Sequence, residues 1–135
     1  MIRIATCCCV KASIEVEGDP KFHLVCHCNN CKKRTGSAFG VSVYFPDTQV
    51  RSKKGETKVY EIESETTQQE RYFCKSCGTT LYWKIYKFQG VPAISEMTGI
   101  AGGCFDDNSL PEPTIVSSGE QKCSWLELPK ISSAI

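Results

Sequence analysis

Residues 26–31 read Cys26-His27-Cys28-Asn29-Asn30-Cys31, and two shorter cysteine clusters flank them in the sequence, Cys7-Cys8-Cys9 and Cys74-Lys75-Ser76-Cys77. Pairs at this spacing bring two thiolates to one side of a tight turn or strand end, and proteins bind zinc in this way. The middle cluster supplies three sulfurs, whereas a closed structural site needs four ligands. The clusters therefore predict metal sites, and the incomplete one is a candidate for chemistry.

The length of 135 residues predicts a single domain over residues 1–135. The chain has 41% hydrophobic residues and a formal net charge of +1. The near-neutral charge does not favour nucleic acid as a partner, because phosphate contacts need a basic surface. No apolar run is long enough to span a bilayer. The N-terminus lacks a basic start followed by a long apolar stretch, so we expect no signal peptide, no membrane partner and a cytoplasmic location.

Ten cysteines also suit a disulfide-rich secreted domain, which is the alternative interpretation of the whole set. The absence of a secretion signal and the tight clustering of the cysteines favour metal binding.

Alternating apolar and polar residues predict an all-β fold of antiparallel sheets with little helix. Strands are expected over residues 12–17, 22–28, 39–45, 57–62, 69–73, 80–86, 93–98 and 114–117. Residues 51–54 are interpreted as a surface turn. One short helix is expected from Asn29 to Thr35, capped by Asn29 or Asn30 and ended by Gly36.

The first and last clusters together predict a closed zinc site. On a strand, Cys7 and Cys9 would share one face, and two further sulfurs must come from elsewhere. Cys74 and Cys77 are the natural donors, since Gly78 suits the backbone of such a turn. This set would form a Cys₄ tetrahedron of the structural type.

The remaining cluster, Cys26, Cys28 and Cys31, covers three corners of a second tetrahedron. Water, a thiol or a substrate atom would take the fourth corner, and these three cysteines are the candidate catalytic residues. Spacing also allows a closed site that recruits one more cysteine.

Neighbouring residues suggest how such a site is completed. Lys32, Lys33 and Arg34 follow the third cysteine and could bind a substrate carboxylate, or else form a solvated loop face. His27, as a strand residue, would face away from the metal and is read as a packing or supporting side chain. Three further cysteines and one tryptophan are expected in the core: Cys8, Cys104, Cys123 and Trp125.

The motifs together resemble the glutathione-dependent formaldehyde-activating enzyme family, the Gfa/CENP-V group. The resemblance rests on Cys7-x-Cys9, on the block from Cys26 to Phe39, and on Phe73-Cys74-x-x-Cys77-Gly78-Thr79-x-Leu81. It implies a β-tent built around zinc, with a structural zinc on Cys7, Cys9, Cys74 and Cys77 and a catalytic zinc on Cys26, Cys28 and Cys31.

The reaction implied by the resemblance joins glutathione to formaldehyde as S-hydroxymethylglutathione, or reverses that step. We therefore expect a zinc-dependent carbon–sulfur lyase or synthase that acts on a small-molecule thiol adduct, with glutathione as co-substrate. The alternative is a zinc-binding interaction module without catalysis, which the CENP-V side of the resemblance suggests.

Overall fold

A computed structural model describes residues 1–88, 90–91, 93–131 and 133–135 of the chain. Within these ranges the strands are β1 (Ile2–Thr6), β2 (Ser13–Glu17), β3 (Phe22–Cys26), β4 (Gly40–Pro46), β5 (Val50–Lys54), β6 (Thr57–Glu63), β7 (Thr67–Cys74), β8 (Thr80–Phe88), β9 (Met97–Ala101), β10 (Ile115–Ser117) and β11 (Ser133–Ala134). The α-helix is α1 (Asn29–Thr35), and short 3₁₀ turns cover Asp47–Gln49, Ile94–Glu96, Gly102–Cys104 and Gly119–Gln121.

The strands form two sheets. The smaller sheet has the order β1-β2-β5, and the larger has the order β11-β10-β3-β4-β9-β8-β7-β6. Pairing is antiparallel except at β10, which runs parallel to both β3 and β11. The predicted all-β fold is confirmed. Of the described helices, none is both long and apolar enough to cross a membrane.

Strand alternation gives the larger sheet two different faces. Val43 and Phe45 of β4 point toward the smaller sheet, where they are fully buried with Ile14 and Val16 of β2. Ser42 and Tyr44, the intervening residues of β4, point to the opposite face and line a cavity. One face of β4 therefore packs on the smaller sheet, and the other lines a cavity.

Most predicted strands are present with ends shifted by a few residues, but some predictions are wrong. Residues 51–54 belong to β5 rather than to a surface turn, and Ile94–Glu96 is a 3₁₀ turn before β9 begins. Trp125 is 73% exposed and does not lie in the core. The short strands β1 and β11 were not predicted.

Strand β1 was not predicted because its burial pattern is the reverse of the usual one: its apolar side chains are exposed and its charged side chain is buried. Ile2 and Ile4 are exposed, whereas Arg3 between them is 4% exposed. The Arg3 guanidinium donates hydrogen bonds to the Gly18 carbonyl, to the Asp19 carboxylate at 3.0 Å and to the Ser109 carbonyl at 3.0 Å. Burial of this charge is stabilised by its hydrogen bonds, which tie β1 to the end of β2 and to the loop before β10.

We expect Arg3→Gln to lower the free energy of unfolding by about 2–4 kcal/mol, because buried carbonyls lose a charged donor. Arg51→Gln is the matched control, since Arg51 and its partner Glu17 are each about half exposed. That change should cost less than about 1 kcal/mol. Urea unfolding of both variants measures the difference, and equal losses would contradict a structural role for the buried guanidinium.

Candidate metal centres and cavity

The first cysteine cluster joins the two sheets. Cys7 and Cys9 lie in the turn after β1, and so not on a strand as predicted, while Cys74 ends β7 and Cys77 lies in the turn to β8. All four Sγ atoms lie within 4.8 Å of one another. The Cys7–Cys9 and Cys9–Cys74 sulfur distances are 3.6 and 3.7 Å. Zinc with four thiolates needs S···S distances of about 3.8 Å, so the residues present fit this ion.

Donors around this cluster favour thiolates. The Ala12 amide donates to Cys7 Sγ at 3.2 Å, and the Ser76 amide donates to Cys74 Sγ at 3.4 Å. A hydrogen bond with the Thr79 hydroxyl lowers the pKa of Cys77 to about 5. Hydrogen bonds from backbone amides lower the pKa of Cys74. Cys74 and Cys77 thus favour the thiolate form that binds a soft cation, whereas the pKa of Cys9 is raised to about 11 by burial and by its hydrogen bonds with the neighbouring thiols.

The second cluster forms where β3 meets α1. Cys26 ends β3, and Cys28, instead of the predicted asparagines, caps the helix by accepting a hydrogen bond from the Cys31 amide at 3.3 Å. The three Sγ atoms lie within 4.8 Å of one another, and no other His, Cys, Asp or Glu of the described residues joins them. The structure thus gives no closed four-cysteine site here.

Crowding of these three thiols controls their ionisation. The hydrogen bond from Cys31 lowers the pKa of Cys26 to about 5, and the same bond, together with burial, raises the pKa of Cys31. Three thiolates at this separation repel one another unless a cation lies among them. The donor set therefore also fits zinc, with one coordination position left for a ligand from outside the chain.

Gly40, the first residue of β4, lets α1 approach the sheet. It pairs with Cys26, and a Cβ atom at this position would lie 2.8 Å from Arg34 Nη2 and 3.1 Å from the Cβ atom of Cys31. A side chain here would make the Arg34 guanidinium shift and would crowd the Cβ atom of Cys31 by a few tenths of an ångström. The position of the third sulfur thus depends on a strand residue outside the cysteine motif.

A cavity of about 500 Å³ opens beside the second cluster, on the face of the larger sheet away from the core. Cys26, Cys28 and Cys31 line one part of it, and Arg34 and Arg71 supply its charges. The Arg34 guanidinium carbon lies 4.6 Å from the centre of the Trp83 ring. Burial, and then the neighbouring Arg34, lowers the pKa of Arg71. Two arginine side chains and three cysteine thiols thus line the same cavity.

Trp83 reaches across the cavity wall to Tyr44. The two residues lie on strands that flank β9, where Gly99 pairs with both of them. A Cβ atom on Gly99 would lie 2.1 Å from Trp83 Nε1, so the missing side chain gives the indole its space. The indole N–H then donates to the Tyr44 hydroxyl at 3.1 Å. The phenol keeps its own proton for donation, and burial raises its pKa.

Only one of the three basic residues that were predicted to bind a carboxylate lies at the cavity. Arg34 lines the cavity, but Lys32 and Lys33 are not among its lining residues. The Lys32 ammonium instead donates to the Gln121 carbonyl, and Lys33 is exposed. Sequence reasoning missed Arg71, which no motif contains. Its only signal was its position in a predicted strand, on the same face as Gln69.

The other residues considered at the sequence level lie outside the two clusters. His27 is buried, its ring packs on Phe39 with centroids 6.1 Å apart, and its Nδ1 lacks a hydrogen-bond partner among the described residues. Cys8 is exposed, which contradicts its expected burial, and Cys104 and Cys123 are partly buried. All ten cysteines are free thiols, so the structure does not support a disulfide framework.

Comparison with known proteins agrees with these features. A family model for the glutathione-dependent formaldehyde-activating enzymes matches residues 2–119. The chain belongs to this family. A crystal structure of a Rhodobacter sphaeroides protein has a TM-score of 0.57 and 20% identity, covering 76% of this chain and 87% of that one. This likeness supports the fold alone.

Curated relatives that bear the family's name come from fungi. One from Fusarium vanettenii is 32% identical over 83 residues, which is 60% of this chain and 44% of the relative. One from Emericella nidulans is 29% identical over 100 residues, which is 72% of this chain and 50% of the relative. The chain therefore spans about half the length, or less, of these relatives.

Serine substitutions should separate the two clusters. We expect Cys74→Ser to remove one zinc and lower the free energy of unfolding by about 3 kcal/mol or more, because metal binding at a closed site contributes to folding. Cys26→Ser should remove one zinc with a much smaller loss, and Cys123→Ser is the control. Zinc content by atomic emission and thermal unfolding measure both effects. Unchanged zinc content in Cys74→Ser would contradict the assignment.

Gly40→Ala should damage the second cluster selectively. The added methyl group crowds the Cβ atom of Cys31 and makes the Arg34 guanidinium shift, so we expect zinc content to fall from two ions toward one. Overpacking should cost about 1–3 kcal/mol of stability. Gly103→Ala is the matched control, since a Cβ atom there has no neighbour within 4 Å. Equal zinc content in both variants would show that the close approach at Gly40 does not matter.

Proposed function

We propose that this chain is an enzyme that makes and breaks the carbon–sulfur bond of a thiol–aldehyde adduct such as S-hydroxymethylglutathione. The observation that carries the proposal is the contrast between the two clusters. Four sulfurs close the first on themselves, whereas the three of the second line a cavity with two arginines. The proposal treats residues 1–135 as one functional unit. A cytoplasmic setting, where thiols stay reduced, belongs to the same proposal.

Cys26, Cys28 and Cys31 would hold zinc at the cavity wall. When bound there, zinc supplies a Lewis acid with one exchangeable position, which favours the thiolate form of a thiol or withdraws electrons from a carbonyl oxygen. The four-cysteine cluster would hold the structural ion.

The reaction itself conserves electrons and needs no oxidant. In the forward direction the thiol loses its proton, its sulfur forms a bond to the aldehyde carbon, and the former carbonyl oxygen takes up a proton as a hydroxyl. In the reverse direction the hydroxyl loses that proton, the carbon–sulfur bond breaks, and the thiolate leaves. The site must therefore orient two small molecules and deliver one proton.

Residues of this chain suit both tasks. Arg34 and Arg71 provide donors for a substrate carboxylate, and Arg34 is held by its contact with Trp83. The Tyr44 hydroxyl accepts the Trp83 hydrogen bond and is oriented by it, so its proton is available to the adduct oxygen. The apolar walls limit water around the adduct, which would otherwise compete for these donors.

The test is exchange between free formaldehyde and its glutathione adduct, followed by NMR on the zinc-containing protein. We expect exchange to be faster than without protein and to return to the uncatalysed rate in Cys26→Ser. Zinc bound at both clusters without any acceleration, for glutathione or another thiol, would contradict the enzyme and favour the interaction module.

Arginine substitution should separate binding from chemistry. We expect Arg71→Gln to raise KM about tenfold with a smaller change in kcat, because a carboxylate far from the reacting atoms is bound equally in the ground and transition states. Lys33→Gln is the control, since Lys33 is exposed and does not line the cavity. Steady-state kinetics on both variants give the comparison. A larger effect at Lys33 would contradict the placement of the anion site.

A further inference from the structure

The lining of the cavity beside the second cluster indicates which class of thiol the cavity can bind. Most of its lining is apolar, and the side chains that carry this property are Phe22, Leu24, Trp83, Ile85, Phe88 and Ile94. Phe22 and Leu24 lie two residues apart on β3, as Trp83 and Ile85 do on β8, so each pair lies on one face of its strand. An apolar ligand that leaves water to pack on these side chains gains affinity.

Apart from the cysteines, the charged side chains that line the cavity are both basic. Arg34 and Arg71 line it, and no Asp or Glu side chain does so among the described residues. The Nη2 atom of Arg34 is buried and lacks a hydrogen-bond partner among the described residues. A buried donor without an acceptor is costly, and two nearby guanidinium groups repel each other. An anion bound between these arginines would relieve both penalties.

The polar groups of glutathione match the lining of this cavity poorly. Its γ-glutamyl end carries an ammonium group beside a carboxylate, and this ammonium would find two arginines and no Asp or Glu side chain among the described lining residues. Its peptide groups would also lose water against the apolar wall without matching hydrogen-bond partners. A ligand with an aromatic or branched apolar body and a single carboxylate avoids both costs. The volume of about 500 Å³ is in the range of small-molecule sites.

We propose that the thiol accepted by this chain is an apolar monocarboxylate, whose sulfur lies at Cys26, Cys28 and Cys31, whose carboxylate binds Arg34 and Arg71, and whose body packs on Trp83. This inference rests on the proposed function, and it narrows the thiol from glutathione to a less polar class.

The test ranks four thiols by isothermal titration against the full chain purified with zinc. The set is para-(mercaptomethyl)benzoate, which has both features, benzyl mercaptan, which lacks the carboxylate, mercaptopropionate, which lacks the apolar ring, and glutathione. We expect para-(mercaptomethyl)benzoate to bind about tenfold or more tightly than each of the others. Glutathione binding as tightly as the benzoate would overturn the inference.

Substitution of the two arginines tests whether they bind the carboxylate of the ligand. In Arg34→Gln and Arg71→Gln, affinity for para-(mercaptomethyl)benzoate should fall to about that of benzyl mercaptan, whose own affinity should not change. Arg51→Gln, on the far surface beside Glu17, is the control and should leave both affinities unchanged. Equal losses for the charged and the neutral thiol would overturn the carboxylate contact. The ranking on the unsubstituted chain does not depend on the variants.

Turnover is measured separately, by NMR exchange of formaldehyde with each thiol. The expected binding order without acceleration for any adduct would overturn the proposed function and leave the binding preference supported. Acceleration with glutathione, together with tighter glutathione binding than benzoate binding, would support the proposed function and overturn this inference.

Discussion

The convergence of Cys7, Cys9, Cys74 and Cys77 is the constraint on which the rest of the structure depends. These residues come from the turn after β1, in the smaller sheet, and from the β7–β8 turn, in the larger sheet. Cys7 and Cys74 are buried and belong to the core that the two sheets share. A 135-residue chain with short strands has a modest core, so a metal bound at this cluster would contribute a large share of the folding free energy.

The four-cysteine cluster joins the two sheets, so the three-cysteine cluster does not need a fourth protein ligand to hold the fold together. Cys26, Cys28 and Cys31 lie at the end of β3 and the start of α1, next to the face of the larger sheet that lines the cavity. The residues that pack on the smaller sheet and those that line the cavity alternate along β4. On the cavity side, Trp83 and Ile85 belong to a second, smaller cluster of buried residues, so this face also contributes to the packing of the fold.

Local features of the fold were predictable. The cysteine clusters, the seven-residue helix and most strands follow from spacing, capping and alternation, all of which act within a few residues. Strand β1 was missed because Arg3, a residue usually exposed, is buried by contacts with Asp19 and Ser109 far along the chain. Burial of Trp125 was expected from its side-chain type alone, and the residue is 73% exposed at the surface.

By itself the sequence determined which sulfurs cluster and the family to which the chain belongs, because ligand spacing in a turn is a local property. Tertiary structure alone decided that no fourth cysteine of the described residues joins Cys26, Cys28 and Cys31, that Gly40 gives room to Cys31, and that Arg71 joins Arg34. These relations depend on which strands are neighbours and which faces meet. Such long-range contacts are set by packing of the whole sheet, and no short motif records them.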